Sequence, residues 1–145
     1  MIVAVVRPDS WNLPLFLHVL GAVALVGAVA AVALAAGRSL DSPLLRRLAF
    51  WTLLTVVLPA WVLMRVAGEW IDSKEDIPGD PTWLGIGFMV GDIGLIVLIV
   101  ATVVGWWSAR RVQQRWPAQL LTVLASLYLV ALLVAMFAMS GKPGA

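Results

Sequence analysis

The chain has no cysteine, one histidine and one tyrosine in 145 residues, with ten Lys or Arg against eight Asp or Glu. Without cysteine there are no disulfides, no thiolate metal centres and no cysteine nucleophile. A single histidine, His18, cannot give a haem two axial imidazoles within one chain; only a symmetric dimer could supply the second. Several familiar chemistries are also missing: there is no phosphate-cradling glycine loop, no G-x-S-x-G elbow, no H-E-x-x-H helix and no pair of carboxylates within a span. Nothing here requires an enzyme. The net charge of +2 sits in short connecting segments and forms no basic face, which argues against a nucleic-acid partner.

What the sequence has instead is apolar length. Hydrophobic residues make up 62% of the chain and charged ones 12%, with a mean hydropathy of +0.99. Soluble domains are about half apolar and about a quarter charged. A chain this short cannot hide that much apolar surface in its own core, so the solvent for much of it is lipid. Four runs stand out, about residues 13–36, 48–68, 83–107 and 118–139. Each has the roughly 20 apolar residues that carry a helix across about 30 Å of hydrocarbon. Barrel strands would alternate, and these runs are continuous. The expected fold is all-α, a single membrane domain over residues 1–145 built as a bundle of four transmembrane helices. The first run is too long for a signal-peptide core and reads as a permanent helix.

Punctuation supports these boundaries. Ser42-Pro43, Asp80-Pro81 and Trp116-Pro117 place proline where a helix starts and its missing N–H costs nothing. Trp11, Trp70 and Trp83 fall at one expected water interface, and Trp51, Trp106, Trp107 and Trp116 at the other. Trp61 lies inside the second run. Pro59 lies there too and withdraws a hydrogen bond from the Thr55 carbonyl, which predicts a bend.

The segments between spans set an orientation. Arg38, Arg46 and Arg47 follow the first span, and Arg110, Arg111 and Arg115 follow the third. The connection between the second and third spans carries Glu69, Asp72, Lys74, Glu75, Asp76 and Asp80. Arginine and lysine stay cytoplasmic, so both termini and the acidic connection are expected outside.

In that orientation the ionisable groups within the spans share the outer half. At about 1.5 Å per residue, His18 and Arg65 lie roughly 7 Å inside the outer ends of their spans, and Asp92 roughly 13 Å in from Trp83. Charge in hydrocarbon is expensive, so such residues mark a candidate binding site by default. Arg65 has Glu69 four residues on, on the same helix face, and can extend toward the interface. Asp92 is too short to escape and needs a proton, a water-filled cavity, or a partner such as Arg65 or His18 on another helix. His18, Arg65, Glu69 and Asp92 are therefore the candidate binding residues. Met64, Met89, Met136 and Met139 share that half; thioethers commonly serve as flexible packing, and with His18 they would also suit Cu(I). No cofactor is required, and copper or haem are the two that the residue types leave open. Tyr128, midway along the fourth span, is expected to donate its hydroxyl to a neighbouring helix. Gly87-Phe88-Met89-Val90-Gly91, with Gly94 beyond, and Gly21, Ala24, Gly27, Ala28 and Ala31 on the first span, promise close helix contacts.

Phe16-Leu17-His18-Val19-Leu20-Gly21, followed by Val26-Gly27, resembles the L-H-x-L-G first helix of small bacterial membrane proteins related to the copper resistance protein D family. The likeness covers about one helix, and the chain departs from that family in length and in having no further histidine. The resemblance implies a bacterial plasma membrane and outward-facing copper handling. Two functional classes follow from all this. One is an accessory or scaffold bundle whose polar groups only fix packing. The other is an outward-facing binding or transport module for an ion, such as copper or a proton, or for a small molecule; transport by four spans would call for a homodimer or larger complex.

Overall fold

A computed structural model describes residues 9–75 and 82–141. A short 3₁₀ turn, Asp9–Trp11, leads into α1 (Asn12–Gly37); α2 (Pro43–Thr52) then runs through a π turn (Leu53–Val57) into α3 (Leu58–Glu75), followed by α4 (Thr82–Arg110) and α5 (Trp116–Gly141). Helices α2 and α3 make one continuous rod, so the described residues hold four helices long and apolar enough to cross a membrane. The all-α four-helix bundle is the observed architecture.

The helices overrun the apolar runs. The second begins at Pro43 rather than near Leu48, because Ser42 caps it by accepting from the Leu45 N–H at 3.4 Å and Pro43 takes the first position. Arg46 and Arg47, expected in a loop, are therefore helical. At the other end Glu69, Asp72, Lys74 and Glu75 belong to the last turns of α3 rather than to a connection. Asp76, Asp80 and Pro81 lie outside the described residues.

Pro59 acts through the π turn just before it. The Leu58 N–H reaches back five residues to the Leu53 carbonyl. A proline has no N–H and its ring crowds the carbonyl four residues back, and a widened turn accommodates both. The turn has a topological consequence. Before it, α2 packs against both α1 and α4; after it, α3 stays closely packed on α1 but meets α4 at few positions. Helices α1 and α5, and α4 and α5, remain closely packed. The bundle is thus closed in the half holding α2 and loosened along the α3–α4 seam in the half holding α3.

The core runs down the axis through Leu25, Val29 and Val32 of α1, Leu53 and Val57, Leu98 and Ala101 of α4, and Leu121 and Ala125 of α5. Small residues set the closest approaches. A methyl added at Gly21 would stand 2.7 Å from the Met64 backbone nitrogen, so α1 and α3 touch backbone to backbone there. Gly27, on the same helix, has open space beside it and plays no such part. On α4, Gly87 lies against Met139 and Gly94 against the Tyr128 ring, so the expected small-residue strip seats α5.

Candidate functional site

All four spans line a cavity of about 430 Å³ in the half of the bundle where the seam opens. Its walls include His18 and Ala22 from α1, Met64, Arg65 and Gly68 from α3, Gly87, Phe88 and Gly91 from α4, and Ala135, Met136 and Met139 from α5. Trp11, Asp72, Trp83 and Ser140 line it toward the expected outer interface. The surface is mostly hydrocarbon, aromatic and thioether, with polarity confined to a few side chains.

Arg65 is the hub of that polarity. Its Nε donates to Asp92 Oδ1 at 3.0 Å, across the seam. Its Nη1 lies 2.5 Å from Glu69 Oε1 one turn along α3, an ion contact without hydrogen-bond alignment. The guanidinium also stacks on Phe88, 4.7 Å from the ring centre. Asp92 thus has the cross-helix partner its depth demands, and that partner is Arg65 rather than His18. Its carboxylate lies on the outward side of the seam rather than in the cavity wall, with 62% of the side chain exposed. Trp61 explains its place inside a span by donating from Nε1 to the Gly91 carbonyl at 2.9 Å, a second tie across the same seam.

His18 makes a different contact. Its Nδ1 lies 2.9 Å from the Met64 carbonyl oxygen. A carbonyl only accepts, so Nδ1 is the donor in this contact, and in a neutral ring Nε2 carries the lone pair. Gly68 makes room for the ring: a methyl there would come within 3.2 Å of Nδ1. Of the methionines, Met64, Met136 and Met139 line the cavity with His18, whereas Met89 is 60% exposed on the outer face of α4 and is not part of it. Helical phase places Met89 beside Ile93 and away from Gly87 and Gly91. Among the described residues no three His, Asp or Glu side chains converge as a metal-binding group.

Tyr128 departs from expectation. It is buried at 4% exposure against Gly94, and among the described residues its hydroxyl has no hydrogen-bond partner. The ring fills the space the missing glycine side chain leaves, and packing rather than hydrogen bonding fixes it.

Sequence reasoning treated Arg46 only as a topology marker. It is 1% exposed at the opposite end of the bundle from the cavity. Nε donates to the Ser39 carbonyl at 3.1 Å, Nη2 to Leu40 at 3.0 Å, and Nη1 to Gln114 at 2.7 Å and Arg111 at 3.4 Å. One guanidinium therefore clasps the α1–α2 turn to the α4–α5 turn through four backbone carbonyls. Around it Arg110 and Arg111 stack over Trp106 and Trp107, 4.4 and 5.6 Å from the ring centres. The available signal was its place three residues into a capped helix, which turns Arg46 back toward the preceding turn.

Compared with protein-family models, curated proteins and solved structures, the chain matches none.

Proposed function

We propose that this chain is a non-enzymatic, outward-facing binding protein of a bacterial plasma membrane, with both termini outside and a small-molecule site in the outer half of its bundle. The observation that carries this reading is the cavity. Helices inside a bundle pack densely against one another, and this cleft between them is wide enough to admit more than water. A space of about 430 Å³ falls within the range of ligand pockets, roughly 300–1,000 Å³. Its walls come from all four spans and are largely apolar, which favours a hydrophobic ligand over a bundle whose polar groups only fix packing. Binding needs one copy of the chain; transport through it would call for a homodimer or larger assembly.

A second reading has its own observation, since His18, Met64, Met136 and Met139 line the same space. Imidazole and thioethers suit Cu(I), with the Met64 carbonyl orienting the ring and Nε2 free to ligate. Protein purified in mild detergent separates the two by mass, colour and metal content. The binding reading expects an organic molecule released on denaturation and no copper retained after Cu(I) loading under reducing conditions. Stoichiometric copper that is lost in His18→Ala would replace it with the metal reading, and an empty protein under both conditions would leave the accessory bundle.

A further inference from the structure

Resting on the binding reading above, we infer that the ligand is an amphiphile with an apolar tail and a positively charged head, the tail in the cavity and the head on the carboxylates of the α3–α4 seam. The tail follows from the walls. Apart from His18, Arg65, Asp72 and Ser140, the cavity is bounded by aliphatic, aromatic and thioether groups. A free polar solute entering it would give up hydration for little return.

The head follows from the charge balance at the seam. Arg65 is held between Glu69 and Asp92, so one positive charge faces two negative ones. The Arg65 side chain is 20% exposed, while those of Glu69 and Asp92 are 61% and 62% exposed. Among the described residues the uncompensated charge at the seam is therefore negative, and it lies on the accessible side. The nearest remaining cation on α3, Lys74, is engaged elsewhere: its Nζ donates to the Ser10 carbonyl at 3.2 Å and sits 5.4 Å from the Trp70 ring centre. The seam is also the loosest edge of the bundle, and Asp92 shares its outward face with Met89 and Ile93, both exposed. A molecule already dissolved in lipid meets the carboxylates and the cavity from one side. An anionic head would meet Glu69 and Asp92 before it reached the partly buried guanidinium. A cationic head completes a two-against-two arrangement.

The test uses full-length protein in zwitterionic phosphatidylcholine nanodiscs, with empty nanodiscs subtracting simple partitioning. Three probes are titrated while tryptophan fluorescence is followed: dodecyltrimethylammonium, dodecyl sulfate and tetramethylammonium. Saturable binding is expected for dodecyltrimethylammonium, at least about tenfold tighter than for dodecyl sulfate, with none for tetramethylammonium. Glu69→Gln, at an exposed position that leaves the fold intact, should narrow that ratio severalfold, and Asp92→Asn should do the same. Equal binding of both dodecyl probes would overturn the charge assignment while leaving the cavity as a site. Binding of tetramethylammonium equal to that of its dodecyl analogue would overturn the tail. Saturable binding of none of the three probes would overturn the inference, and if a released organic molecule had already been found, the binding reading would outlive it.

Discussion

Arg65 and Asp92 are 27 residues apart in the chain and meet at 3.0 Å across the one edge of the bundle where the helices otherwise barely touch. Helix–helix hydrogen bonds in membranes average about 0.6 kcal/mol, so the pair is a modest tie energetically. Asp92→Asn keeps an acceptor for Nε and is expected to lower stability by about that amount. Asp92→Leu leaves Arg65 with Glu69 alone and should cost about 1–2 kcal/mol. Thermal unfolding in detergent distinguishes them; a stabilised Leu variant with binding intact would show Asp92 to be incidental.

Gly21 and Gly27 make a matched pair on one helix. Gly21→Ala forces a methyl against the Met64 backbone, which cannot step aside as a side chain would, and should cost about 1–3 kcal/mol. Gly27→Ala enters open space and should be neutral or gain about 0.5–1 kcal/mol through helix propensity. Equal effects at the two sites, read from unfolding midpoints, would contradict the close α1–α3 contact.

Arg46 should be the most sensitive charged residue in the chain. Lysine presents its donors from one compact head and cannot reach both turns, so Arg46→Lys leaves buried carbonyls unpaired, each at about 1–3 kcal/mol. Arg47→Lys, next in sequence but exposed, is the control. A lowered midpoint and faster tryptic cleavage around Arg111–Arg115 are expected for the first and not for the second. Matching behaviour would mean that the carbonyl clasp holds nothing together.

The fold and most of the polar cluster were legible in the sequence, for a simple reason. Continuous apolar length has one structural solution in lipid, and a short carboxylate at depth has few partners, so Asp92 with Arg65 could be anticipated. What was not legible depends on phase and path. The outward turn of Met89, the lone hydroxyl of Tyr128 and the inward turn of Arg46 follow from side-chain direction around each helix, which apolar runs do not reveal when every face is apolar. The cavity lies beyond the π turn, where α3 meets α4 at few positions, and Pro59 alone predicts a local disturbance rather than a cavity.

Orientation is open to a direct labelling experiment. Ser73 is exposed near the end of α3 and is a sound site for a cysteine reporter. Ser108, which the apolar runs place in a connection, is 1% exposed within α4, so the opposite reporter belongs at exposed Gln113. An impermeant thiol reagent added to intact cells should label Ser73→Cys and spare Gln113→Cys. The reverse pattern would invert the protein and put the cavity in the cytoplasmic half.

Filling the cavity tests the central claim most directly. Ala135 is 7% exposed and forms part of the wall, so Ala135→Leu adds bulk where there is space rather than where there is backbone. In nanodiscs, the variant should lose saturable binding of dodecyltrimethylammonium and release no small molecule on denaturation, with an unfolding midpoint equal to or above that of the unmodified protein. Undiminished binding with the midpoint unchanged, or a midpoint several degrees lower, would contradict the account, the first by placing the ligand elsewhere and the second by showing that the space is not there.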